Sequence, residues 1–163
     1  MENARELFQI MTRRFGLLNK TCCSVGGNDV SLVQSHILYE IDRQHNPSMQ
    51  QIAETLGTDI TTFSRQVQSL IKMNLVKKTQ DPQDRRVYTL ALTTEGKFIA
   101  TTIDQQMNDY LNEVFSYMTE FEKETVLHSV KIFNEAMAKS NKCCVPLSEM
   151  NYDVAPFLRC RAF

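Results

Sequence analysis

The stretch Asp81-Pro82-Gln83-Asp84-Arg85-Arg86-Val87-Tyr88-Thr89-Leu90-Ala91-Leu92-Thr93 joins a charged tip to a run in which apolar residues alternate. Aspartate and proline favour turns, and alternation with a period of two is typical of a half-buried strand. A shorter strand-like run, from Leu75 to Thr79, precedes the tip. Together the two runs predict a β-hairpin that carries two adjacent arginines at its turn.

Two helices joined by a tight turn are predicted just before the hairpin. Ser48, with Gln51 three residues later, forms a capping box at the start of the first helix, and Gly57 fits the left-handed residue beyond its end. The second helix is predicted to run from Ile60 to about Met73. The apolar stripe expected to face the core consists of Ile60, Phe63, Val67, Leu70 and Ile71. A helix-turn-helix followed by a hairpin is a winged helix, whose second helix enters the major groove of duplex DNA.

Longer amphipathic segments flank this unit. Residues 2–20 and 31–43 are predicted as helices on its N-terminal side, with a loop at residues 21–29 between them. On its C-terminal side, Thr93 or Thr94 caps a helix of roughly six turns, and a final helix runs from about residue 119 to residue 139. The predicted fold class is therefore mainly α with a small β-wing (α+β), a winged helix-turn-helix between long N- and C-terminal helices.

The chain divides accordingly into three regions. Residues 1–30 and 93–139 are expected to form a helical dimerisation region, because helices this long usually keep apolar surface for a partner chain. Residues 31–92 are expected to form the winged helix-turn-helix DNA-binding region. Residues 140–163 are a cysteine-containing tail that is apolar enough to dock on the body of the protein or on the partner subunit.

Length and composition restrict the class of protein. At 163 residues, of which 42% are hydrophobic and 23% charged, the chain suits one globular domain with a real core. No apolar run is long enough to span a bilayer, and the N-terminus lacks the pattern of a secretory signal, so a cytoplasmic protein without membrane contact is expected. No nucleophile–base set, phosphate-binding loop or carboxylate pair is evident, so no enzymatic activity is expected.

Charge is distributed unevenly along the chain. The net charge of the whole chain is −1, whereas residues 58–89 hold six basic and three acidic residues, a net charge of +3. A basic face on a mildly acidic body confines the attraction for phosphate to one surface. This distribution favours specific binding to duplex DNA over indiscriminate binding to polyanions.

These features resemble the MarR family of bacterial winged helix-turn-helix transcriptional regulators. The resemblance runs from about residue 30 to residue 139 and rests on the helix-turn-helix, the wing, and the sequence Leu92-Thr93-Thr94-Glu95-Gly96. The wing of this family often reads D-x-R-D-x-R, which Asp81, Asp84 and Arg86 match, whereas Gln83 replaces the first arginine. The resemblance implies a homodimer that binds a palindromic operator and usually represses transcription until a small effector or thiol chemistry releases it.

A set of polar and basic side chains is predicted to contact the DNA. Arg65 is the preferred base reader, since arginine pairs with guanine through two hydrogen bonds, and a phosphate contact is the equal alternative. Arg85 at the wing tip is expected to enter the minor groove, and Arg86 either contacts DNA or pairs with Asp81 or Asp84. The full predicted set is Ser48, Thr61, Thr62, Ser64, Arg65, Gln68, Lys77, Lys78, Gln83, Arg85 and Arg86.

Five cysteines suggest a sensor. Cys22 and Cys23 follow the first helix, Cys143 and Cys144 follow the last, and Cys160 lies near the end of the chain. If the helix ends meet in a dimer, these thiols can converge on a soft ion such as As(III), Sb(III), Cu(I) or Zn(II), or be oxidised to disulfides. Burial as small apolar side chains is the equal alternative. No cofactor is required in either case.

Three interpretations of function remain open. The leading one is a dimeric repressor released from its operator by a thiophilic metal, a metalloid or an oxidant sensed at the cysteines. The second is the same regulator responding to small aromatic or phenolic ligands in a crevice of the dimer, with structural cysteines. The third, of another class, is a small-molecule binding protein without operator binding, for which the only support is Gln83 in the wing.

Overall fold

The fold consists of helices and short antiparallel strands in residues 3–16 and 23–139, which the computed structural model describes. In chain order these are α1 (Ala4–Arg14), β1 (Cys23–Val25), β2 (Asn28–Val30), α2 (Leu32–Gln44), α3 (Met49–Thr55), α4 (Ile60–Lys72), β3 (Val76–Gln80), β4 (Tyr88–Leu92), α5 (Thr94–Ser116) and α6 (Glu120–Ala138). β3 pairs with β4 as the predicted wing, with Val76 opposite Leu92 and Gln80 opposite Tyr88. The predicted fold class, mainly helical with a small β-wing, is confirmed. Across these residues, no helix combines the length and hydropathy needed to cross a membrane.

Capping hydrogen bonds confirm where the sequence predicts helices to begin. Ser31, Ser48 and Thr119 each form a capping box, in which the hydroxyl and the side chain three residues later bond reciprocally to backbone N–H groups. Thr93 caps α5. α3 ends before Gly57, whose φ of +60° is the left-handed conformation predicted for it. These helix starts depend on local hydrogen bonds, which is why spacing along the chain was sufficient to predict them.

The apolar core lies inside the winged helix. It draws on α2, α3, α4, both wing strands and the first half of α5, together with the short β1–β2 hairpin. Neither α1 nor α6 contributes a buried residue. The largest fully buried side chains are Phe63, Ile37, Leu38, Ile52, Leu70, Leu75, Leu90 and Ile99. The core therefore fixes the winged helix and the start of α5, whereas the outer helices keep apolar sides uncovered.

The start of α5 is held against the residues that follow α4. The backbone N–H of Thr93 donates to the carbonyl oxygen of Leu75 at 3.0 Å, and the Thr93 hydroxyl donates to the carbonyl oxygen of Asn74 at 2.7 Å. The same hydroxyl oxygen accepts the N–H of Gly96 at 2.9 Å. A Cβ atom on Gly96 would lie 1.9 Å from the Leu75 carbonyl oxygen, so only glycine allows this close approach.

The N-terminal part of the chain differs from the prediction in two places. α1 ends at Arg14 rather than at residue 20, because Gly16 adopts a φ of +75°, which stops the helix; residues 17–22 lie outside the described residues. The predicted loop at residues 21–29 contains the β1–β2 hairpin instead. Gly26 and Gly27 turn its strands with φ values of +60° and +81°, the left-handed pair that a tight hairpin turn requires.

Replacement of Gly96 by alanine is expected to destabilise the fold by about 3 kcal/mol, the upper end of typical overpacking costs. The added methyl group meets the backbone of Leu75, which cannot move aside as a flexible side chain can. Guanidinium denaturation followed by circular dichroism measures the change. Thr94→Ala, an exposed position in the same turn, is the control and should stay within about 0.5 kcal/mol of wild type. An unchanged unfolding midpoint for Gly96→Ala would contradict the close approach.

Candidate nucleic-acid interface

α4, the second helix of the helix-turn-helix, begins at a charged cap. The carboxylate of Asp59 accepts the backbone N–H of Thr62 at 2.9 Å. Hydrogen bonds from the Thr62 hydroxyl and then from its backbone hold the pKa of Asp59 below its usual value, and Arg65 adds a smaller electrostatic effect. An ionised carboxylate here also complements the positive end of the helix dipole. The cap thus fixes where α4 begins and engages the hydroxyl of Thr62.

The polar side of α4 forms an open groove. Thr61, Arg65 and Gln68 are exposed and Ser64 is half-buried, and their spacing of three or four residues places them on neighbouring turns of one side. Thr62 is exposed but does not line the groove. The lining residues are Ile60, Thr61, Ser64, Arg65, Gln68, Ser69 and Lys72. The structure therefore brings together four of the five residues predicted on this helix.

Three residues of the groove were not predicted as contacts. Ile60 was expected in the core and this is wrong: it is 45% exposed, because as the first residue of α4 it lies outside the region that Phe63 fills. Lys72 follows Gln68 by four residues, a spacing that could have identified it. Ser69 accepts a hydrogen bond from the amide of Gln34 at 3.2 Å, a contact between α2 and α4 that sequence spacing does not reveal.

The wing tip is shaped by its aspartates. One carboxylate oxygen of Asp81 accepts the backbone N–H groups of Gln83 at 2.7 Å and Asp84 at 3.1 Å. Asp84 in turn accepts the N–H of Arg86 at 2.9 Å. The acidic residues of the tip therefore bond to the backbone, and the ion pair considered for Arg86 is not found among the described residues. The side chains of Arg85 and Arg86 are both exposed.

The two lysines of β3 differ in their exposure and contacts. Lys77 is exposed, whereas the ammonium group of half-buried Lys78 lies 4.1 Å from the centre of the Tyr88 ring, a cation–π contact. This contact holds the Lys78 ammonium group against the opposite strand of the wing.

The wing is tied to the helix-turn-helix through the start of α3. Leu90 donates its backbone N–H to the carbonyl oxygen of Pro47 at 2.9 Å, and Ser48 forms a β-bridge with Thr89. The hydroxyl of Ser48 accepts the N–H of Gln51 at 3.1 Å as part of the helix cap, which leaves its proton free to be donated. The predicted residue Ser48 therefore lies where the wing and α3 meet.

Most of the predicted cysteine site lies outside the described residues. This applies to Cys22, Cys143, Cys144 and Cys160. Cys23 opens β1, is half-buried and packs against the apolar core. Within residues 3–16 and 23–139, no group of three His, Cys, Asp or Glu side chains is arranged to hold a metal ion. The sensing role of the cysteines stays a prediction.

Comparison with known proteins points to one family. The MarR family model matches residues 30–88. The chain is 30% identical over 82 residues to the HTH-type transcriptional regulator PapX of Escherichia coli, covering 50% of each chain, and so spans about half the length of that relative. It is 25% identical over 127 residues to the HTH-type transcriptional regulator YybA of Bacillus subtilis, covering 73% of this chain and 85% of YybA. Streptococcus pneumoniae FabT, solved in complex with DNA, has a similar fold, with a TM-score of 0.73 at 17% identity over 83% of this chain and 94% of FabT.

Proposed function

Because the MarR family model matches residues 30–88, which lie in the winged helix, we propose that the chain belongs to that family and is a transcriptional repressor that binds a palindromic DNA operator as a homodimer. Transcriptional regulators of this family bind DNA and are not enzymes. The observation that carries the proposal is the exposure of cations on both elements that a winged helix presents to DNA. These are Arg65 and Lys72 on α4, and Arg85 and Arg86 at the wing tip.

The lack of acidic ion-pair partners for these four cations in the described part of the chain supports binding to a polyanion. None of Arg65, Lys72, Arg85 and Arg86 forms an ion pair within the described residues, so each keeps its charge available for phosphate. The cations that do form ion pairs among the described residues are Arg43 with Glu40, Lys97 with Asp42, and Lys123 with Glu120. When cations on the winged helix neutralise DNA phosphates, the counterions bound to the DNA are released. This release is the main sequence-independent source of affinity.

Replacement of Arg85 by alanine tests the role of the wing. We expect weaker binding to a promoter fragment bound by the wild-type protein, with the slope of log affinity against log salt reduced by about 1. Fluorescence anisotropy at several salt concentrations measures both quantities. Arg43→Ala is the matched control, because Arg43 is an exposed arginine on α2 and should leave both unchanged. If Arg85→Ala binds with the wild-type affinity and slope, the wing does not contact DNA.

The homodimer is supported by apolar surface that the single chain leaves exposed. On α6, Val126, Val130, Phe133 and Met137 follow one another at intervals of four, three and four residues, and each is 38–49% exposed. On α1 and its C-cap residue, the exposed apolar residues are Leu7, Phe8, Met11 and Phe15.

The apolar surfaces of α1 and α6 are joined within the chain. The Phe8 ring stacks on the Phe133 ring with 5.0 Å between centroids, and the Phe15 ring lies edge-on to Tyr110 of α5 at 6.1 Å. These two ring contacts bring apolar residues at the N-terminal end of the chain next to apolar residues of α5 and α6. Burial of such a surface against a second copy contributes about 25 cal/mol per Å² of apolar area removed from water.

Val130→Glu is expected to shift the dimer towards monomer, because it places a carboxylate in the middle of the apolar side of α6. Analytical ultracentrifugation over a concentration series measures the dissociation constant. Phe98→Glu, which alters a 58% exposed aromatic residue on the part of α5 that packs on the winged helix, should leave the dimer intact. A wild-type protein that sediments as a monomer at tens of micromolar would rule out a stable homodimer.

For the effector, we propose thiol chemistry at the cysteines. The signal that releases the protein from DNA would be As(III), Sb(III), Cu(I), Zn(II) or an oxidant. The support is the presence of two vicinal pairs and Cys160 in one chain of 163 residues. A small aromatic or phenolic ligand in the dimer crevice is the alternative, in which the cysteines only pack.

Serine replacement at Cys22, Cys23, Cys143 and Cys144 separates the two effector classes. Thiol sensing predicts that the variant binds DNA as the wild type does but no longer dissociates on addition of thiophilic ions or a hydroperoxide. The measurement is anisotropy on the bound promoter fragment, with salicylate-like anions added in parallel. If As(III) dissociates the variant from DNA as it does the wild type, the effector binds at a site without these thiols.

A further inference from the structure

One large apolar side chain on the proposed DNA-facing helix is only partly covered by the fold. Ile60 is 45% exposed, whereas Phe63, less than one turn later, is 1% exposed, so α4 itself is well packed on the core. Across residues 45–87, all of which are described, Ile60 is the one large hydrophobic side chain that is exposed. Its exposure leaves an apolar surface in the middle of an otherwise polar and basic region.

The position of Ile60 at the start of α4 indicates which part of the DNA this apolar surface would contact. It is the first residue of α4 and lines the same groove as Thr61, Ser64 and Arg65. In a helix-turn-helix, the N-terminal residues of the second helix contact the base edges, while later residues approach the backbone. Asp59, the residue before it, has its carboxylate engaged by Thr62, so it does not compete for the same space.

The major groove offers one apolar group to such a side chain. Of the four bases, only thymine presents a methyl group there, at C5; the other groups are hydrogen-bond donors and acceptors. Isoleucine cannot donate or accept a hydrogen bond, and it would leave a polar base edge unsatisfied after removing water from it. We infer that Ile60 contacts the 5-methyl group of a thymine in each operator half-site and is thus a specificity-determining residue. This inference rests on the proposed DNA-binding function.

The experiment that tests this contact removes only the 5-methyl group of thymine. The preferred operator of the wild-type protein is first selected from a random DNA library. Each thymine of one half-site is then replaced in turn by deoxyuridine, which lacks the methyl group but keeps the same hydrogen-bonding edge. Anisotropy titrations with wild type and Ile60→Ala give a double-mutant cycle for every thymine.

We expect one thymine position at which deoxyuridine weakens wild-type binding about fourfold, the amount that corresponds to one buried methyl group. At that position Ile60→Ala should bind thymine and deoxyuridine equally. Ile60→Val, which keeps a branched apolar side chain, should retain part of the difference. Phe98→Ala, an exposed aromatic residue outside the helix-turn-helix, should show the full wild-type sensitivity.

The outcomes separate this inference from the function on which it rests. If the wild-type protein shows no salt-dependent binding to any DNA, the proposed function fails. If it binds a selected operator but no thymine position distinguishes wild type from Ile60→Ala, the inference alone fails. If Ile60→Ala weakens binding equally to operator and to unrelated DNA, the side chain packs on the sugar–phosphate backbone, which also overturns it. Circular dichroism of Ile60→Ala confirms that the variant is folded in each case.

Discussion

The contact between the start of α5 and the carbonyl group of Leu75 organises the whole winged helix. Leu75 donates its N–H to the carbonyl oxygen of Leu70 at the end of α4 and accepts the N–H of Thr93 at the start of α5. Its side chain is fully buried. The Thr93 hydroxyl and the absent side chain of Gly96 allow the long helix to begin directly against this point. The end of α4, both ends of the wing and the start of α5 are therefore fixed relative to one another.

This junction has a consequence for regulation in the proposed dimer. α5 continues from Thr94 to Ser116 and leads to α6, whose exposed apolar side we assign to the dimer contact. In that dimer, we expect a change in how the outer helices pack to reach α4 through α5, because the contacts of Thr93 and Gly96 hold the start of α5 against Leu75. Two α4 helices must match half-sites about one turn of DNA apart. An effector alters binding only to the extent that it prefers one dimer geometry over the other.

The features that the sequence predicts correctly are those set by a few neighbouring residues. Ser48 with Gln51, and Thr119 with Glu122, form their capping boxes because each pair needs only a spacing of three. The wing follows from alternation and turn residues in one stretch. In contrast, Ile60 fits the helical stripe of the core by its spacing, but the stripe reaches the end of the helix where there is no core left to cover it. Spacing predicts which side of a helix faces the core. It does not predict how far along the helix the neighbouring elements reach to cover that side.

The wing shows why the departure of Gln83 from the family pattern is compatible with the fold. The backbone N–H of residue 83, not its side chain, bonds to Asp81, and Asp84 holds the N–H of Arg86 in the same way. Any residue other than proline supplies that N–H. The arginine usual at this position can therefore be lost without loss of the turn, although one cation is removed from the tip. The positive charge of the wing tip then depends on Arg85 and Arg86, whose side chains are both exposed and outside the turn's hydrogen-bonding network.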